Sequence, residues 1–287
     1  MPASEIYRKR YPPGSERVLD WEVAALRWLA AAEGGAAVVP VLTVGDGELC
    51  LERLHSVAPS AQAAAAFGER LAATHDAGAP GFGAAPEGWH GDGYFGPLGD
   101  ALPMPLVDGS AASATDQAGS GAGQAASATD QAGSVAGQPG WGRFYADYRL
   151  QPLIDTAAER GSLDADEARH FEPVLRRLRD GEFDDGDRPA RLHGDLWAGN
   201  LLWTDAGAVL IDPAAHGGHR ESDLAMLHLF GAPFLDRITA SYSLVFPLKP
   251  GWRERIALHQ LFPLLAHVIL FGGGYLAQTL DAARRYR

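Results

Sequence analysis

The chain has 287 residues, a hydrophobic share of 46% and a formal net charge of -12 at pH 7, with a sequence pI near 5.2. Its length leaves room for one large domain or two lobes. The acidic balance argues against a nucleic acid or an anionic membrane as partner, because both attract basic surfaces. Cys50 is the only cysteine, which excludes an internal disulfide framework and a cysteine-rich zinc site and favours a cytoplasmic protein.

A small mixed region is predicted at the start of the chain. Residues 6–9 have the character of a strand end, and residues 15–32 have the apolar spacing of a helix. A second strand is predicted at 49–54, after the glycine-containing turn at 45–47. We assign residues 1–57 to a small lobe on this basis.

The rest of the chain is predicted to be mainly helical. Helices are indicated at 61–75, 141–160 and 164–179, and the many Gly and Pro residues of 78–105 predict irregular structure. The longest apolar run, 261–271, contains Pro and His and is too short to span a bilayer, so we predict a buried helix there. No signal peptide is recognisable at the N-terminus. Residues 58–287 form the predicted large lobe.

A tandem duplication interrupts this lobe. Residues 111–124 recur at 125–138 with a single change, Gly121 to Val135. The repeat consists mostly of Ala, Ser, Gly and Gln, which offer too little hydrophobic surface to offset the entropy of ordering. We predict that 111–138 is a disordered surface insertion without catalytic residues.

The most informative motif is HGDLWAGN at residues 193–200, with Asp212 following it in an Ile-Asp-Pro triplet. It fits the H-x-D-L-x-x-x-N catalytic loop and the later metal-binding aspartate of kinases. A hydroxyl that attacks the terminal phosphate of ATP needs a carboxylate to accept its proton, and Mg²⁺ prefers oxygen ligands. Asp195 suits the first role, and Asn200 and Asp212 suit the second.

The spacing of the apolar residues supports this interpretation. Two short apolar runs, 201–203 and 208–211, are separated by a turn-forming Thr-Asp-Ala-Gly sequence, which predicts a β-hairpin. Such a hairpin would bring Asn200 and Asp212 together at its open end. Pro213 would end the second strand there, because it cannot donate to a ladder.

Each residue of the motif also has an ordinary explanation when it is taken singly. A lone Asp-x-x-x-x-Asn is typical of a turn or a helix cap, and Ile-Asp-Pro is typical of a strand end. His193 is predicted to be structural, packing under the loop, because the proton goes to Asp195. His216 and His219 could suggest a zinc site with the two aspartates, but the kinase pattern already accounts for these carboxylates, and metal-dependent hydrolysis stays a minor alternative.

A kinase also requires a lysine on a strand that contacts phosphate and a helical glutamate that holds the lysine. Lys9, at the end of the first strand, and Glu22, inside the helix that follows, are the candidates. Adenine is expected to bind backbone groups of a hinge after the next strand, at Glu52 and Leu54. Singly, Lys9 and Glu22 would be ordinary surface charges.

The chain resembles the fructosamine kinase (ketosamine-3-kinase) family. Its Trp197 and the run from Gly218 to Met226 are specific to that resemblance, whereas aminoglycoside and choline kinases share only the HGD part of the loop. The matching motifs are HGDLWAGN (193–200), IDPA (211–214), GHRESDLAM (218–226), LFG (229–231) and FGGGY (271–275). The resemblance covers most of residues 1–105 and 140–287.

The resemblance implies an α+β, protein-kinase-like fold with two lobes and an ATP- and Mg²⁺-dependent kinase. The acceptor would be the sugar 3-hydroxyl of a ketosamine, an adduct of a sugar with lysine or with a protein, and phosphorylation would release the amine. Bacterial members favour ribulosamines and erythrulosamines. We expect a monomer whose partner is a small-molecule ketosamine or a glycated protein lysine.

The resemblance also implies roles for single residues. Asp195 would accept the proton, Asn200 and Asp212 would bind Mg²⁺, and Lys9 would contact phosphate with Glu22 as its partner. Asp223 would brace the catalytic loop through hydrogen bonds to its backbone, with a helix N-cap as the alternative.

One departure from the family concerns the small lobe. Family members usually have two strands and a phosphate-covering loop before the lysine, whereas Lys9 stands eight residues after Met1. We therefore expect an N-terminally truncated small lobe, caused either by a start codon placed too late or by a true truncation that weakens ATP binding. Two alternatives stay open: another small-molecule kinase, acting on an aminoglycoside, choline or a sugar, and a non-catalytic pseudokinase.

Overall fold

The computed structural model describes residues 5–107 and 139–287. Within them a small sheet region carries Lys9 and a larger, mainly helical region carries the catalytic loop, as predicted. The lobe boundary after residue 57 stays a prediction. The repeat at 111–138, predicted to be disordered, lies outside the described residues.

The strands are short, and most of them form antiparallel pairs. They are β1 (Ile6–Arg10), β2 (Ala37–Val38), β3 (Val41–Gly45), β4 (Glu48–Glu52), β5 (Gly93–Phe95), β6 (Leu102–Met104), β7 (Ala190–Leu192), β8 (Leu201–Thr204), β9 (Gly207–Leu210) and β10 (His216–Gly218). The sheets have the strand orders β1-β4-β3, β2-β9-β8, β10-β7 and β5-β6.

The helices make up most of the larger region. They are α1 (Glu16–Ala30), α2 (Ala61–Asp76), α3 (Trp141–Phe144), α4 (Gln151–Glu159), α5 (Ala165–Arg169), α6 (Glu172–Arg179), α7 (Glu221–Phe230), α8 (Leu235–Val245), α9 (Trp252–His259), α10 (Leu261–Phe271) and α11 (Leu276–Arg284). A π-helical turn, Tyr145–Leu150, joins α3 to α4.

The small sheet is held by one face of α1. Leu19, Val23 and Leu26 are spaced by four and three residues, so they share a helix face. They are buried together with Leu49 and Leu51 of β4. This packing places the β1 strand, which pairs with β4, beside the helix that carries Glu22.

The short strand β2 connects the small region to the catalytic hairpin. It pairs in parallel with β9, with Ala37 opposite Val209 and Val38 opposite Leu210. The β8–β9 hairpin has Leu201 opposite Leu210, which confirms the hairpin predicted from sequence. The residues before and after the hairpin therefore lie next to the segment that leaves α1.

The structure corrects the predicted elements in three places. The predicted helix at 164–179 is broken into α5 and α6, and the predicted helix at 141–160 contains the π-helical turn. Residues 78–105, predicted to be irregular, contain the small β5–β6 hairpin. α5 ends after a single capped turn, where Asp164 and Glu167 form a capping box, and Pro173 in the first turn of α6 suits a new helix start.

The apolar run at 261–271 forms α10, a mostly buried helix, as predicted. By length and composition alone the stretch Trp252–Phe271 could cross a membrane, but 61% of its most apolar window is buried inside the protein. That degree of burial is typical of a core helix, and α10 packs in the main hydrophobic core.

α2 and α8 approach closely at Gly68. A Cβ atom added at this glycine would lie 2.2 Å from the carbonyl oxygen of Ile238 and 2.3 Å from Oγ of Ser241. Real Cβ atoms do not tolerate such distances, so this helix crossing depends on the missing side chain. The crossing positions His75, at the end of α2, against Tyr242 of α8.

We predict that Gly68→Ala destabilises the protein by roughly 1–3 kcal/mol, because the added methyl group forces the two helices apart. Gly273→Ala is the matched control, since a Cβ atom there meets no atom within 4 Å. Chemical denaturation of both variants measures the difference. Equal stability of the two variants would contradict the close crossing.

Candidate active site

The catalytic loop lies between β7 and β8 and is shaped by a glycine. Gly194 has φ 81°, and a Cβ atom there would lie 2.1 Å from the carbonyl oxygen of Ala214. Only glycine combines this backbone conformation with this close approach. The loop therefore turns sharply before Asp195.

Asp223 of α7 holds the loop through hydrogen bonds to its backbone. Its Oδ2 accepts the backbone N–H of His193 at 2.7 Å, and its Oδ1 accepts that of Gly194 at 2.9 Å. This confirms the predicted brace, and Asp223 lies inside α7 rather than at its N-cap. Burial alone would raise the pKa of Asp223, but its hydrogen-bond donors outweigh burial and hold the pKa below its ordinary value.

Two further buried side chains support Asp223. Nε2 of His75 lies 3.1 Å from Oδ2 of Asp223, and Nδ1 of His75 lies 2.8 Å from the hydroxyl of Tyr242. A carboxylate only accepts, so Nε2–H donates to Asp223 and Nδ1 accepts from Tyr242 in the neutral ring. Sequence analysis did not single out this pair, because its members lie on different helices, far apart in the chain.

His193 links the loop to the end of β9. Its Nδ1 accepts the backbone N–H of Asp195 at 3.2 Å, and its Nε2 lies 2.9 Å from the carbonyl oxygen of Ile211, to which it donates. Burial lowers the pKa of His193, which keeps the ring neutral. The structural role predicted for this histidine is confirmed.

Asn200 and Asp212 meet at the open end of the hairpin, as predicted. The backbone N–H of Ile211 donates to the carbonyl oxygen of Asn200 at 3.1 Å. Nδ2 of Asn200 donates to Oδ2 of Asp195 at 3.0 Å and to the Asp195 carbonyl oxygen at 2.9 Å. Asp212 has φ 50°, an uncommon conformation that directs the chain out of β9 and is a form of strain typical of functional sites.

An ion-pair array lies in the same site. It consists of Lys9, Glu22 and Asp212. Nζ of Lys9 lies 2.6 Å from Oε2 of Glu22 and 2.9 Å from Oδ1 of Asp212. Burial lowers the pKa of Lys9, but the two carboxylates outweigh this effect and the net pKa is raised, so the amine is charged. The geometry predicted for Lys9 and Glu22 is thus present.

Tyr11 completes this array and was missed in the sequence. Its hydroxyl donates to Oε2 of Glu22, the oxygen that also binds Lys9. Tyr11 follows Lys9 by two residues, so a strand continued past Arg10 would place both side chains on one face, and this periodicity was the available signal. Tyr11 limits the positions that the Glu22 carboxylate can adopt.

These residues line one cleft of about 380 Å³ that contains Lys9, Glu22, Asp195, Asn200 and Asp212. Many of the other residues that line the cleft are apolar or aromatic. They include Tyr94, Phe95, Pro97, Leu98, Trp197, His267, Leu270 and Phe271. Trp197 and Phe271 expose 40% and 57% of their surface, although aromatic side chains of this size are usually buried.

Glu52 and Leu54 do not line this cleft. They lie at and just after the end of β4, where the backbone N–H of Glu52 donates to the carbonyl oxygen of Pro40. Leu54 packs beside the apolar cluster that contains Val39 and Leu51. Their role as an adenine-binding hinge stays a prediction.

Among the described residues, the carboxylates close enough to His219 to share a metal ion belong to Asp185, Asp187 and Glu221, not to Asp195 or Asp212, so the zinc site suggested with the latter two is wrong. Nε2 of His219 lies 3.3 Å from Oδ1 of Asp185, and its Nδ1 accepts the backbone N–H of Glu221 at 3.2 Å. His216 bonds to the carbonyl oxygen of Ala214. Both rings are buried and take part in internal hydrogen bonds.

The donor chemistry at the hairpin end fits Mg²⁺. Nδ2 of Asn200 is engaged with Asp195, which leaves the amide oxygen of Asn200 for another partner. The Asp212 side chain is 45% exposed and offers carboxylate oxygens next to it. Two oxygen ligands on one open face, with room for water and phosphate oxygens, suit this hard cation.

The electrostatic environment of Asp195 suits a general base. Burial raises the pKa of this carboxyl group to about 7, and the nearby Asp212 and Asp223 act in the same direction, while the hydrogen bond from Asn200 opposes the shift. A pKa near the working pH is favourable for proton transfer. Together, the fold and this arrangement define a protein of the protein-kinase-like class.

Comparisons with known proteins identify the family. The fructosamine kinase family model matches residues 113–286, more than half of the chain. A candidate fructosamine-3-kinase from Thermobifida fusca is 42% identical, with a TM-score of 0.79 over 98% of this chain and 85% of that one. The chain belongs to the fructosamine kinase family.

More distant comparisons are consistent with this assignment. Mouse ketosamine-3-kinase is 36% identical over 144 residues, which are 50% of this chain and 46% of that protein. The chain thus spans about half the length of the curated relatives it matches. An aminoglycoside phosphotransferase, APH(2'')-Ib, has a TM-score of 0.58 at 12% identity over 99% of this chain and 88% of that one, which shows a shared fold alone.

We predict that Asp195→Asn stabilises the protein at pH 8 by roughly 1–2 kcal/mol. The folded-state pKa near 7 exceeds the ordinary 3.8, so the wild-type stability due to this group is full below about pH 4 and is lost as the pH rises through 7. Denaturation at pH 5 and pH 8 measures the gain, which should be smaller at pH 5. A variant that is less stable at pH 8 would contradict the raised pKa.

We predict that His75→Leu lowers stability by roughly 1–3 kcal/mol, because a buried charged acceptor on Asp223 loses its donor. It should also speed hydrogen exchange of the Gly194 amide. His75→Gln is the matched control, because its side-chain N–H can occupy the position of Nε2 and restore most of both effects. Equal behaviour of the two variants would show that the hydrogen bond to Asp223 does not position the loop.

Proposed function

We propose that this protein is an ATP-dependent kinase that phosphorylates the sugar 3-hydroxyl of ketosamines. The acceptors would be ribulosamine, erythrulosamine or fructosamine adducts of lysine or of proteins, and phosphorylation would lead to deglycation. The observation that carries the proposal is Asp195, a carboxyl group with a pKa near 7, in a cleft that also contains the Lys9–Glu22–Asp212 array.

The charged groups of the array support binding of the nucleotide phosphates. Lys9 is a charged amine held by two carboxylates, and a phosphate oxygen can take the place of Asp212 as its partner. Asp212 and Asn200 would then hold Mg²⁺, which neutralises phosphate charge when it is bound. The preformed Lys9–Glu22 pair favours a catalytic protein over a pseudokinase.

Asp195 would act on the acceptor hydroxyl. As the acceptor oxygen bonds to the γ-phosphorus, the bond from that phosphorus to the oxygen of ADP breaks and the Asp195 carboxylate takes the hydroxyl proton. Asn200 holds the Asp195 carboxylate through its Nδ2, and His193 holds the backbone of Asp195. This positioning supplies much of the rate in phosphoryl transfer.

The aromatic residues that line the cleft are consistent with an acceptor in which a sugar is linked to an amine. Exposed rings such as Trp197 and Phe271 offer flat apolar faces for a sugar and attract a protonated secondary amine by cation–π interaction. The carboxylates among the cleft-lining residues are Glu22, Asp195 and Asp212. All three belong to the catalytic arrangement, which favours an acceptor with one positive charge over a polycationic aminoglycoside.

The remaining parts of the proposal rest on sequence. We propose a monomer in the cytoplasm, with no nucleic acid or membrane partner, on the grounds of the acidic charge and the single cysteine. Glu52 and Leu54 are proposed as the adenine-binding hinge because they lie at and just after the end of β4. Another small-molecule kinase activity stays the alternative.

The test is ADP release from Mg·ATP by the purified chain with ribuloselysine, choline or an aminoglycoside. We expect turnover with ribuloselysine, a loss of about 10²–10⁴-fold in Asp195→Asn, and a rise of about tenfold in the KM for ribuloselysine in Trp197→Ala with little change for ATP. Tyr275→Phe is the control, because it keeps a ring that packs beside the cleft-lining His267 and Phe271. Turnover with choline or an aminoglycoside alone would show that the substrate is not a ketosamine. The absence of ADP release with every acceptor would contradict the proposed kinase activity.

A further inference from the structure

A second, smaller cavity lies next to the catalytic loop. It has a volume of about 30 Å³, and Gly194 and Asp223 form part of its wall. Its side chains with nitrogen or oxygen atoms come from Trp141, Tyr145, Arg149, His216, His219, Ser222, Asp223 and His259. The proposed kinase reaction uses none of these except Asp223, which braces the loop.

Arg149 is the unusual member of this set. It lies in the π-helical turn Tyr145–Leu150 and is only 2% exposed. Its Nη1 donates to the carbonyl oxygens of Pro105 and Tyr148, at 2.6 and 2.9 Å. Nε and Nη2 are buried without a protein hydrogen-bond partner among the described residues.

The charge of Arg149 has no adjacent counter-ion in the part of the chain that the structure describes. No carboxylate there lies within 4.0 Å of the guanidinium, and the charge of Asp92, an exposed residue, acts on it from farther away. Phe144 and Phe262 face the guanidinium, with ring centroids 4.6 and 5.8 Å away. Burial lowers the pKa of Arg149 to about 9, so the group is charged at neutral pH.

Asp223 supplies the only carboxylate among the described residues that line the cavity. The carboxylate of Asp223 already accepts from His75, His193 and Gly194. Nδ1 of His259 and Oγ of Ser222 lie 2.9 Å apart. Burial lowers the pKa of His259 to about 4, so its ring is neutral. Nε2 of His259 lies 3.4 Å from Oε2 of Glu221, so its N–H faces that carboxylate, and Nδ1 accepts from the Ser222 hydroxyl.

The geometry points to a binding site for one small monovalent inorganic anion, of the chloride type, in this cavity beside Nε and Nη2 of Arg149. An isolated buried charge is costly, and a partner of opposite sign relieves that cost. A cavity of 30 Å³ is about the size of one or two water molecules, which admits a halide and excludes larger organic anions. A metal cation is disfavoured because the guanidinium would repel it.

Water is the other occupant that fits this space. Nδ1 of His216 donates to the carbonyl oxygen of Ala214, which leaves its Nε2 as an acceptor. A water molecule could bridge this nitrogen and Arg149. The charge of the guanidinium favours the anion, and scattering from a heavier halide separates the two occupants.

The first experiment uses bromide as the probe on the native chain. Crystals grown in sodium bromide are measured at the bromine absorption edge, and we expect an anomalous peak within hydrogen-bond distance of Nε and Nη2 of Arg149. Ordered water alone at this position would overturn the inference. This measurement requires no variant, so it decides the question even if Arg149 substitutions fail to fold.

The second experiment measures thermal unfolding in sodium chloride and in sodium gluconate at equal ionic strength. We expect chloride to raise the midpoint by roughly 2–4 °C relative to gluconate, and this difference to disappear in Arg149→Met. Arg191→Met is the matched control, because Arg191 also has a buried Nε that meets no hydrogen-bond partner within residues 5–107 and 139–287, and it lies over an aromatic ring, Trp28, but outside the cavity. It should keep the chloride effect.

Two results of the second experiment would overturn the inference. Equal midpoints in the two salts would show that any bromide peak is an adventitious ion only. A chloride effect that survives Arg149→Met would place the anion elsewhere. Neither experiment measures turnover, so the outcome is independent of the proposed kinase activity.

Discussion

The buried carboxylate of Asp223 is the constraint on which the active site depends. It accepts three hydrogen bonds, two from the catalytic-loop backbone and one from His75. A hydrogen bond to a charged group contributes roughly 1.5–3 kcal/mol, whereas a buried carboxylate without donors would be strongly destabilising. The loop can therefore occupy only the positions in which both backbone N–H groups point at Asp223, and this fixes where Asp195 faces the cleft.

Hydrogen bonds, strand pairing and ion pairs also join the catalytic loop to the small sheet region of the fold. His193 bonds to the end of β9, and β9 pairs with β2, which follows α1. Lys9 in turn reaches Asp212 across the cleft. One connected set of hydrogen bonds and ion pairs thus positions the proposed proton acceptor, the candidate metal ligands and the candidate phosphate contact, although they come from distant parts of the chain.

The site residues that could be predicted from sequence are those that stand at characteristic separations along the chain. Asp195 and Asn200 are five residues apart in one loop, Asp212 is returned by a predictable hairpin, and Glu22 lies in the helix after the strand of Lys9. Strand periodicity could also have indicated Tyr11. Each of these patterns involves residues that are close together in the sequence, so each can be recognised without the three-dimensional structure.

The remaining parts of the site depend on tertiary packing. Trp197 lines one cleft with His267 and Phe271 of α10, which are far away in the chain, and no local pattern distinguishes these rings from core aromatics. The His75–Tyr242 contact requires the close crossing of α2 and α8. Arg149 is buried in the π-helical turn, and no local pattern in the sequence distinguishes it from an exposed arginine.

The most direct test of the account is a single-turnover measurement with the protein in excess over γ-labelled Mg·ATP and with ribuloselysine as acceptor. Direct transfer under the control of Asp195 predicts that the label moves in one step to the 3-oxygen of the sugar, with no labelled protein at any time. Label that is found on the protein, or that is released only as inorganic phosphate, would contradict the proposed role of this site.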